Sequence, residues 1–164
     1  MSRFLLAIGA VITATIAALP LTASVREDDG ERLVLTERMQ VTSFNPATGE
    51  GTQGGTFAAA GAINDSGPAV ATFRVTRGQD GCGILTGPHT YTGSTGTITV
   101  FTKGVLCPYP PRNPPRSFAD GTWRVTNASG AYEGLHGHGR VIATADFGNG
   151  EITIARDGEV HRDE

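Results

Sequence analysis

No window of this 164-residue sequence shows the sustained 3.6-residue period of a helix. Glycine, by contrast, is abundant at 23 residues, and threonine and valine recur in short alternating runs. Such a pattern favours short strands joined by tight turns. The sequence therefore predicts an all-β domain.

Signature motifs of several enzyme classes are also missing. The chain has no G-x-S-x-G nucleophile turn, no glycine-rich phosphate-binding loop and no H-E-x-x-H zinc motif. Its 13 basic residues, against 16 acidic ones, do not cluster. These absences argue against nucleic acid or an anionic membrane as a partner. The sequence predicts no cofactor.

Cysteine is scarce, since only Cys82 and Cys107 occur. In an exported chain an even pair is most simply one disulfide, which would stabilise the fold by about 3 kcal/mol in the chain-entropy model. A metal pair is the weaker alternative, because neither cysteine has a second Cys or His at ligand spacing.

The first residues carry a targeting pattern. Arg3 precedes an apolar run over residues 4–21, and Ala23 offers a small residue at a cleavage point. These are the parts of a secretory signal peptide, so residues 1–23 are expected to be removed and the protein secreted. A transmembrane anchor fits less well, because the run is short and acidic residues follow it. No membrane association is expected after cleavage, and residues 24–32 are interpreted as an acidic linker.

Residues 33–164 form a single predicted domain. The strand candidates lie at residues 33–44, 55–63, 69–76, 84–90, 96–106, 121–126, 139–147 and 151–160. Eight strands in short succession suit a closed antiparallel barrel, which leaves no exposed edge, and a two-sheet sandwich is the alternative. Turns are predicted at 64–67 and 148–150, and a proline-rich loop at 107–116.

The first strand candidate places an acid on an apolar face. By the two-residue period, Glu37 shares a face with Leu33, Leu35, Met39 and Val41. If that face points into a barrel, burial would raise the pKa of Glu37 and suit it to act as a general acid or base. A structural alternative is an inward Glu paired with an Arg.

Large side chains suggest a site for a small hydrophobic molecule. The candidate lining residues are Leu35, Met39, Phe73, Trp123 and Tyr132. Ordinary core packing is the alternative for the aromatic residues. Small inward residues, among them alanines at 143 and 145, leave either a cavity or a narrow barrel.

Histidine offers one pattern of interest. His136 and His138 form an H-x-H pair whose rings would share one face of a strand. No third ligand lies nearby in the sequence, so no metal site is predicted. His89 and His161 are isolated and are interpreted as surface residues.

The most distinctive segment is NASGAYEGLHG at residues 127–137. Gly130 and Gly134 interrupt the strand period and suit a compact corner, in which Tyr132 and Leu135 can fill apolar space at one end of a barrel. This stretch resembles the Gly-rich corner of the allene oxide cyclase barrel-like superfamily, which includes the plant dirigent proteins. It also resembles small secreted actinobacterial proteins that carry GTWRV and GAYxGL sequences.

That resemblance implies an eight-stranded antiparallel barrel, often a homo-oligomer, with an apolar cavity. Residues 33–37, LVLTE, are similar to the first strand of the cyclases, in which a Glu takes part in catalysis, and Glu37 is the matching position. Two departures argue against the cyclisation itself. Met39 stands where the cyclases have Asn, and the cyclases use a Cys within the barrel, whereas both cysteines here are expected to pair with each other.

Two functions are compatible with these observations. In the first, a secreted barrel binds a small hydrophobic ligand, or is a stable extracellular domain without turnover. In the second, the protein is a cofactor-free isomerase or cyclase that uses Glu37 as acid or base in an apolar cavity.

Overall fold

The computed structural model describes residues 30–78, 81–108, 116–146 and 148–163. The signal peptide predicted at 1–23, most of the predicted linker and the centre of the proline-rich loop lie outside the described residues. Within the described ranges, no helix is long and apolar enough to cross a membrane.

Eight strands form a closed antiparallel barrel in which each strand pairs with the next along the chain. Their bounds are Glu31–Asn45 (β1), Glu50–Gly61 (β2), Asp65–Arg77 (β3), Gly83–Thr92 (β4), Gly96–Pro108 (β5), Arg116–Gly130 (β6), Leu135–Asp146 (β7) and Glu151–Arg162 (β8). The barrel closes where β8 pairs with β1. The predicted barrel is confirmed, and the sandwich alternative is wrong.

Every strand candidate overlaps one observed strand, and the differences lie at the ends. β1 begins at Glu31, inside the predicted linker. β2 begins at Glu50, before the predicted start at residue 55. β3 already begins at Asp65, within the turn predicted at 64–67. Pairing with a neighbouring strand extends each ladder into polar and Gly-rich sequence whose own strand propensity is weak.

The two-residue period decides which side chains face the barrel interior. On β1, Leu33, Leu35, Glu37 and Met39 are buried while the alternate residues from Thr36 onward are exposed. The inward face predicted for the first strand is therefore confirmed.

A disulfide marks one end of the barrel. Cys82, between β3 and β4, is bonded to Cys107 on β5, which confirms the predicted pairing. At this side of the barrel β1, β3, β5 and β7 end and β2, β4, β6 and β8 begin, and we call it the disulfide end.

The opposite end is closed by the corner between β6 and β7. Gly130 and Gly134 adopt φ values of 65° and 74°, in the left-handed region that favours glycine. Tyr132 and Leu135 are buried, as the sequence predicts. The Tyr132 hydroxyl donates a hydrogen bond to the Asp65 carboxylate, at the start of β3. We call this the Tyr132 end.

Candidate ligand-binding cavity

A cavity of about 500 Å³ lies in the half of the barrel nearest the disulfide end. This volume falls within the range of about 300–1,000 Å³ that is usual for small-molecule sites. Its walls are mainly apolar and include Val41, Phe73, Val75, Leu85, Leu106 and Ile152. Exposed Arg77 and Asp120, of opposite charge, also border it.

Small residues on three neighbouring strands leave this space open. Gly104, Ala119, Gly121, Ala143 and Ala145 all line the cavity. A Cβ added at Gly121 would lie 2.3 Å from the Lys103 carbonyl oxygen, so the close approach of β5 and β6 requires glycine there. Small inward residues allow either a cavity or a narrow barrel, and this protein has the cavity.

Glu37 is the centre of a buried polar cluster behind the cavity. It is 1% exposed. Its Oε1 accepts hydrogen bonds from Arg156 Nη1 at 2.6 Å and from the Tyr91 hydroxyl at 2.7 Å, and its Oε2 lies 3.0 Å from His89 Nδ1. The carboxylate is thus paired with the Arg that the structural alternative required.

Four polar side chains of the cavity lining form what we call the polar floor: Gln53, His89, Thr102 and Arg156. Arg156 Nη2 donates to the Thr102 hydroxyl at 3.0 Å, so both terminal nitrogens of the guanidinium have partners. Gln53 lies opposite Ala71, and Ala71 lies opposite His89, so the Gln and His flank a small side chain across β2, β3 and β4. Glu37 itself does not line the cavity, as far as the described residues define it.

The electrostatics of Glu37 differ from the prediction. Burial favours the neutral acid, but the charge of Arg156 and the hydrogen bonds from His89 and Tyr91 outweigh it, and together they hold the pKa of Glu37 below its ordinary value. The expected rise in pKa is therefore wrong. The sign of this pKa shift depends on the ion-pair partner of Glu37. The sequence around Glu37 does not indicate that partner, because Arg156 is 119 residues away in the chain.

His89 and Tyr91 are kept neutral by the same surroundings. Burial lowers the pKa of His89, and the hydrogen bond to Glu37 only partly opposes this effect. Burial likewise raises the pKa of Tyr91 well above its ordinary value. Because an ionised carboxylate only accepts, a neutral His89 must donate from Nδ1 and keep an unprotonated Nε2. The ring thus offers an acceptor in addition to its bond with Glu37.

The candidate ligand contacts fall into two groups. Phe73 lines the cavity. Leu35, Met39, Trp123 and Tyr132 are buried in the packed core and are absent from the lining formed by the described residues. A ligand role for these four stays a prediction.

The sequence predicts a surface position for His89, but the residue is 5% exposed and lies inside the barrel. The other three members of the polar floor are not among the predicted site residues. The same period that placed Glu37 inward would have placed His89 on one face with Tyr91, and Arg156 on one face with Ile152 and Ile154. A polar residue on an otherwise apolar strand face was the available signal.

The other histidines lie on the outer surface. His136 and His138 are exposed on β7, and the His136 ring stacks on that of His161 with centroids 5.9 Å apart. His136 Nε2 also lies 2.9 Å from an Asp163 carboxylate oxygen. Among the described residues, no group of three or more His, Cys, Asp or Glu side chains is arranged to hold a metal ion.

Comparisons with known proteins give no relative. No protein-family model matches the chain, no curated protein matches it, and no solved structure matches it. The functional argument therefore depends on the cavity and its residues.

Proposed function

We propose that this protein is a secreted barrel that binds a small, predominantly apolar molecule in the cavity at the disulfide end. The observation that carries the proposal is a cavity of about 500 Å³ with apolar walls and a few convergent polar groups. The disulfide is compatible with an oxidising, extracellular compartment. The corner at residues 127–137 and the eight-stranded barrel support membership of the allene oxide cyclase barrel-like superfamily, and the same resemblance supports a homo-oligomer.

Filling the cavity tests this function directly. The neutral fluorescent probe N-phenyl-1-naphthylamine should bind the full chain and gain fluorescence. Ala143 lines the cavity and faces Ala119 on β6 and Ile154 on β8, so Ala143→Phe would occupy part of the space. We expect this variant to lose at least about tenfold in affinity, the equivalent of 1.4 kcal/mol.

The matched control is Ala58→Phe, because Ala58 is exposed on the outer face of β2. It should bind the probe as the parent protein does. Equal binding by the parent and by Ala143→Phe, both folded by circular dichroism, would place the probe outside the cavity and contradict the proposal.

Cofactor-free acid–base catalysis is the second candidate, and one observation favours it. His89 lines the cavity, and the ionised Glu37 fixes its tautomer, which leaves a neutral imidazole nitrogen available as a base. In this arrangement His89 would transfer the proton, and Glu37 would be a positioning residue. A base-labile probe such as 5-nitrobenzisoxazole distinguishes the two candidates. If His89 is a catalytic base, the parent protein converts the probe and His89→Gln does not. If the protein only binds its ligand, neither protein converts the probe.

A further inference from the structure

We propose that the outer surface of strands β4–β7 is an interface at which two copies of this chain associate about a two-fold axis. This inference goes beyond the ligand-binding function proposed above and gives the homo-oligomer a defined surface. The observation that carries it is an exposed apolar patch on the outside of the barrel.

Four large apolar side chains form this outer apolar patch: Ile84, Val105, Phe118 and Ile142. Each is 40–48% exposed. Ile84 lies opposite Val105 in the β4–β5 ladder. Asp120 on β6 lies opposite both Val105 and Ile142, and Phe118 is two residues before Asp120 on the same face. The four side chains are therefore neighbours on adjoining strands.

Apolar exposure elsewhere in the described part of the chain is limited to single positions. Phe44 is exposed but lines the cavity. Val70 is exposed on β3, and its partners on the neighbouring strands are Gly54 and Thr90. Single exposed apolar residues are normal on a protein surface, whereas a contiguous group of them marks an interaction site. The outer apolar patch is therefore the surface that calls for a partner.

The charges around the patch favour a second copy of the chain as that partner. Asp120 lies between Val105 and Ile142, and Arg140 Nη2 donates to its two carboxylate oxygens at 3.0 and 3.2 Å. Lys103 is exposed on the same face, two residues before Val105. Because the surface carries an acid and two bases, each of two copies offers the charges that the other needs when the same surfaces meet. A partner of a single charge sign would bring like charges together.

The segments that flank the barrel join it at the other end. β1 begins and β8 ends at the Tyr132 end, whereas Ile84 and Val105 are each two residues from a cysteine of the disulfide. Residues 24–29, SVREDD, contain a single apolar side chain. This segment brings little apolar surface of its own, so the cover of the patch has to come from another molecule.

Sedimentation velocity of the full chain, over roughly 1–200 μM, measures the association. We expect the parent protein to change from one copy to two as its concentration rises. Val105→Lys and Val105→Glu each place two like charges at the centre of the interface, so each should raise the Kd of the dimer at least about tenfold. The matched control is Val70→Lys, because Val70 is more exposed, at 58%, and lies outside the patch. It should dimerise as the parent does.

A mixture of the two Val105 variants tests whether the patch contacts its own copy. Lys and Glu then meet across the two-fold axis, so an equimolar mixture should dimerise at concentrations at which each variant alone is a monomer. Recovery in the mixture would also show that both variants are folded.

Three results would overturn the interface. The first is a parent protein that stays monomeric at every concentration, and the second is a dimer whose Kd the Val105 variants leave unchanged. The third is a mixture that associates no more than its separate components do. If the parent is monomeric and binds phosphatidylcholine–phosphatidylglycerol vesicles while Val105→Glu does not, the patch contacts a lipid surface and the proposal is wrong.

The same samples separate this inference from the proposed ligand binding. Val105 is not among the described residues that line the cavity, so its variants should bind N-phenyl-1-naphthylamine as the parent does. A monomeric parent that binds the probe would overturn the interface and leave cavity binding intact. A dimer that does not bind the probe would overturn cavity binding and leave the interface intact.

Discussion

The two halves of this barrel are built from the same strands and have opposite interiors. Toward the Tyr132 end, large side chains fill the space, among them Leu33, Leu35, Phe57, Tyr91, Ile98 and Trp123. Toward the disulfide end, glycine and alanine at the inward positions of β5, β6 and β7 leave a cavity of about 500 Å³. Side-chain volume, and not strand geometry, therefore decides where the barrel is hollow.

The buried cluster around Glu37 lies at the boundary between these halves. Its carboxylate accepts from Tyr91, a core residue, and from Arg156 and His89, which line the cavity. Packed residues thus support one side of the cluster, and the other side presents polar groups to the cavity. Such support is what a binding site needs if its polar groups are to keep their orientation.

The largest expected effect comes from breaking the ion pair at this boundary. Glu37→Leu or Arg156→Leu should each lower the free energy of unfolding by about 3–5 kcal/mol, since each leaves an uncompensated buried charge. The double substitution should cost much less than the sum, because no charge then remains unpaired. Urea denaturation of the four proteins gives the coupling energy.

A matched control pair joins the same two strands on the outer surface. Arg32 on β1 contacts Asp157 on β8 at 2.7 Å, with both side chains more than half exposed. The corresponding cycle at this pair should give a coupling below about 1 kcal/mol, because solvent screens it. Additive effects at Glu37 and Arg156 would contradict the view that the buried pair acts as one unit.

A pair of leucines tests the contrast between the two halves directly. Leu35 is 0% exposed in the packed half, so Leu35→Ala should cost about 2–5 kcal/mol by creating a new cavity. Leu85 is only partly buried and lines the existing cavity, so Leu85→Ala loses fewer contacts and should cost about 1 kcal/mol or less. Urea denaturation measures both variants. If Leu35→Ala and Leu85→Ala lower the denaturation midpoint equally, with the m value unchanged, then the half with the cavity is packed as tightly as the filled half.

The sequence predicted the framework better than the site. Alternating residues on β1 sufficed to place Glu37 inward, because strand periodicity is a local property. The pairing of Glu37 with Arg156 follows from the contact between the first and last strands, which exists only once the barrel is closed. The sign of the Glu37 pKa shift depends on that contact, so an isolated strand could not reveal it.

His89 shows a different kind of omission. Its strand alternates, and the buried Tyr91 lies two residues on, so the local pattern was sufficient to place His89 inside. The surface position predicted for His89 follows from its isolation from other histidines, and that isolation says nothing about the strand face on which the residue lies. The cavity, in contrast, results from inward residues of several strands, and no single stretch of sequence could have shown it.

The smallest expected effect, and the one most specific to the boundary cluster, is a dependence of stability on pH. Burial lowers the pKa of His89 in the folded protein below the ordinary value of 6.5, so the unfolded chain takes up a proton more readily. The stability contributed by a neutral His89 is therefore complete above about pH 6.5 and falls as the pH drops below it toward the lowered pKa. Glu37 acts in the same direction at lower pH, because its lowered pKa stabilises the fold only while the carboxylate stays ionised.

Between pH 7.5 and 5.5, His89→Gln should remove most of the decline in melting temperature, whereas His138→Gln, at an exposed position on β7, should retain it. A decline that is the same in all three proteins would show that His89 is not the titrating group, and the assignment of a neutral imidazole to the polar floor would then be wrong.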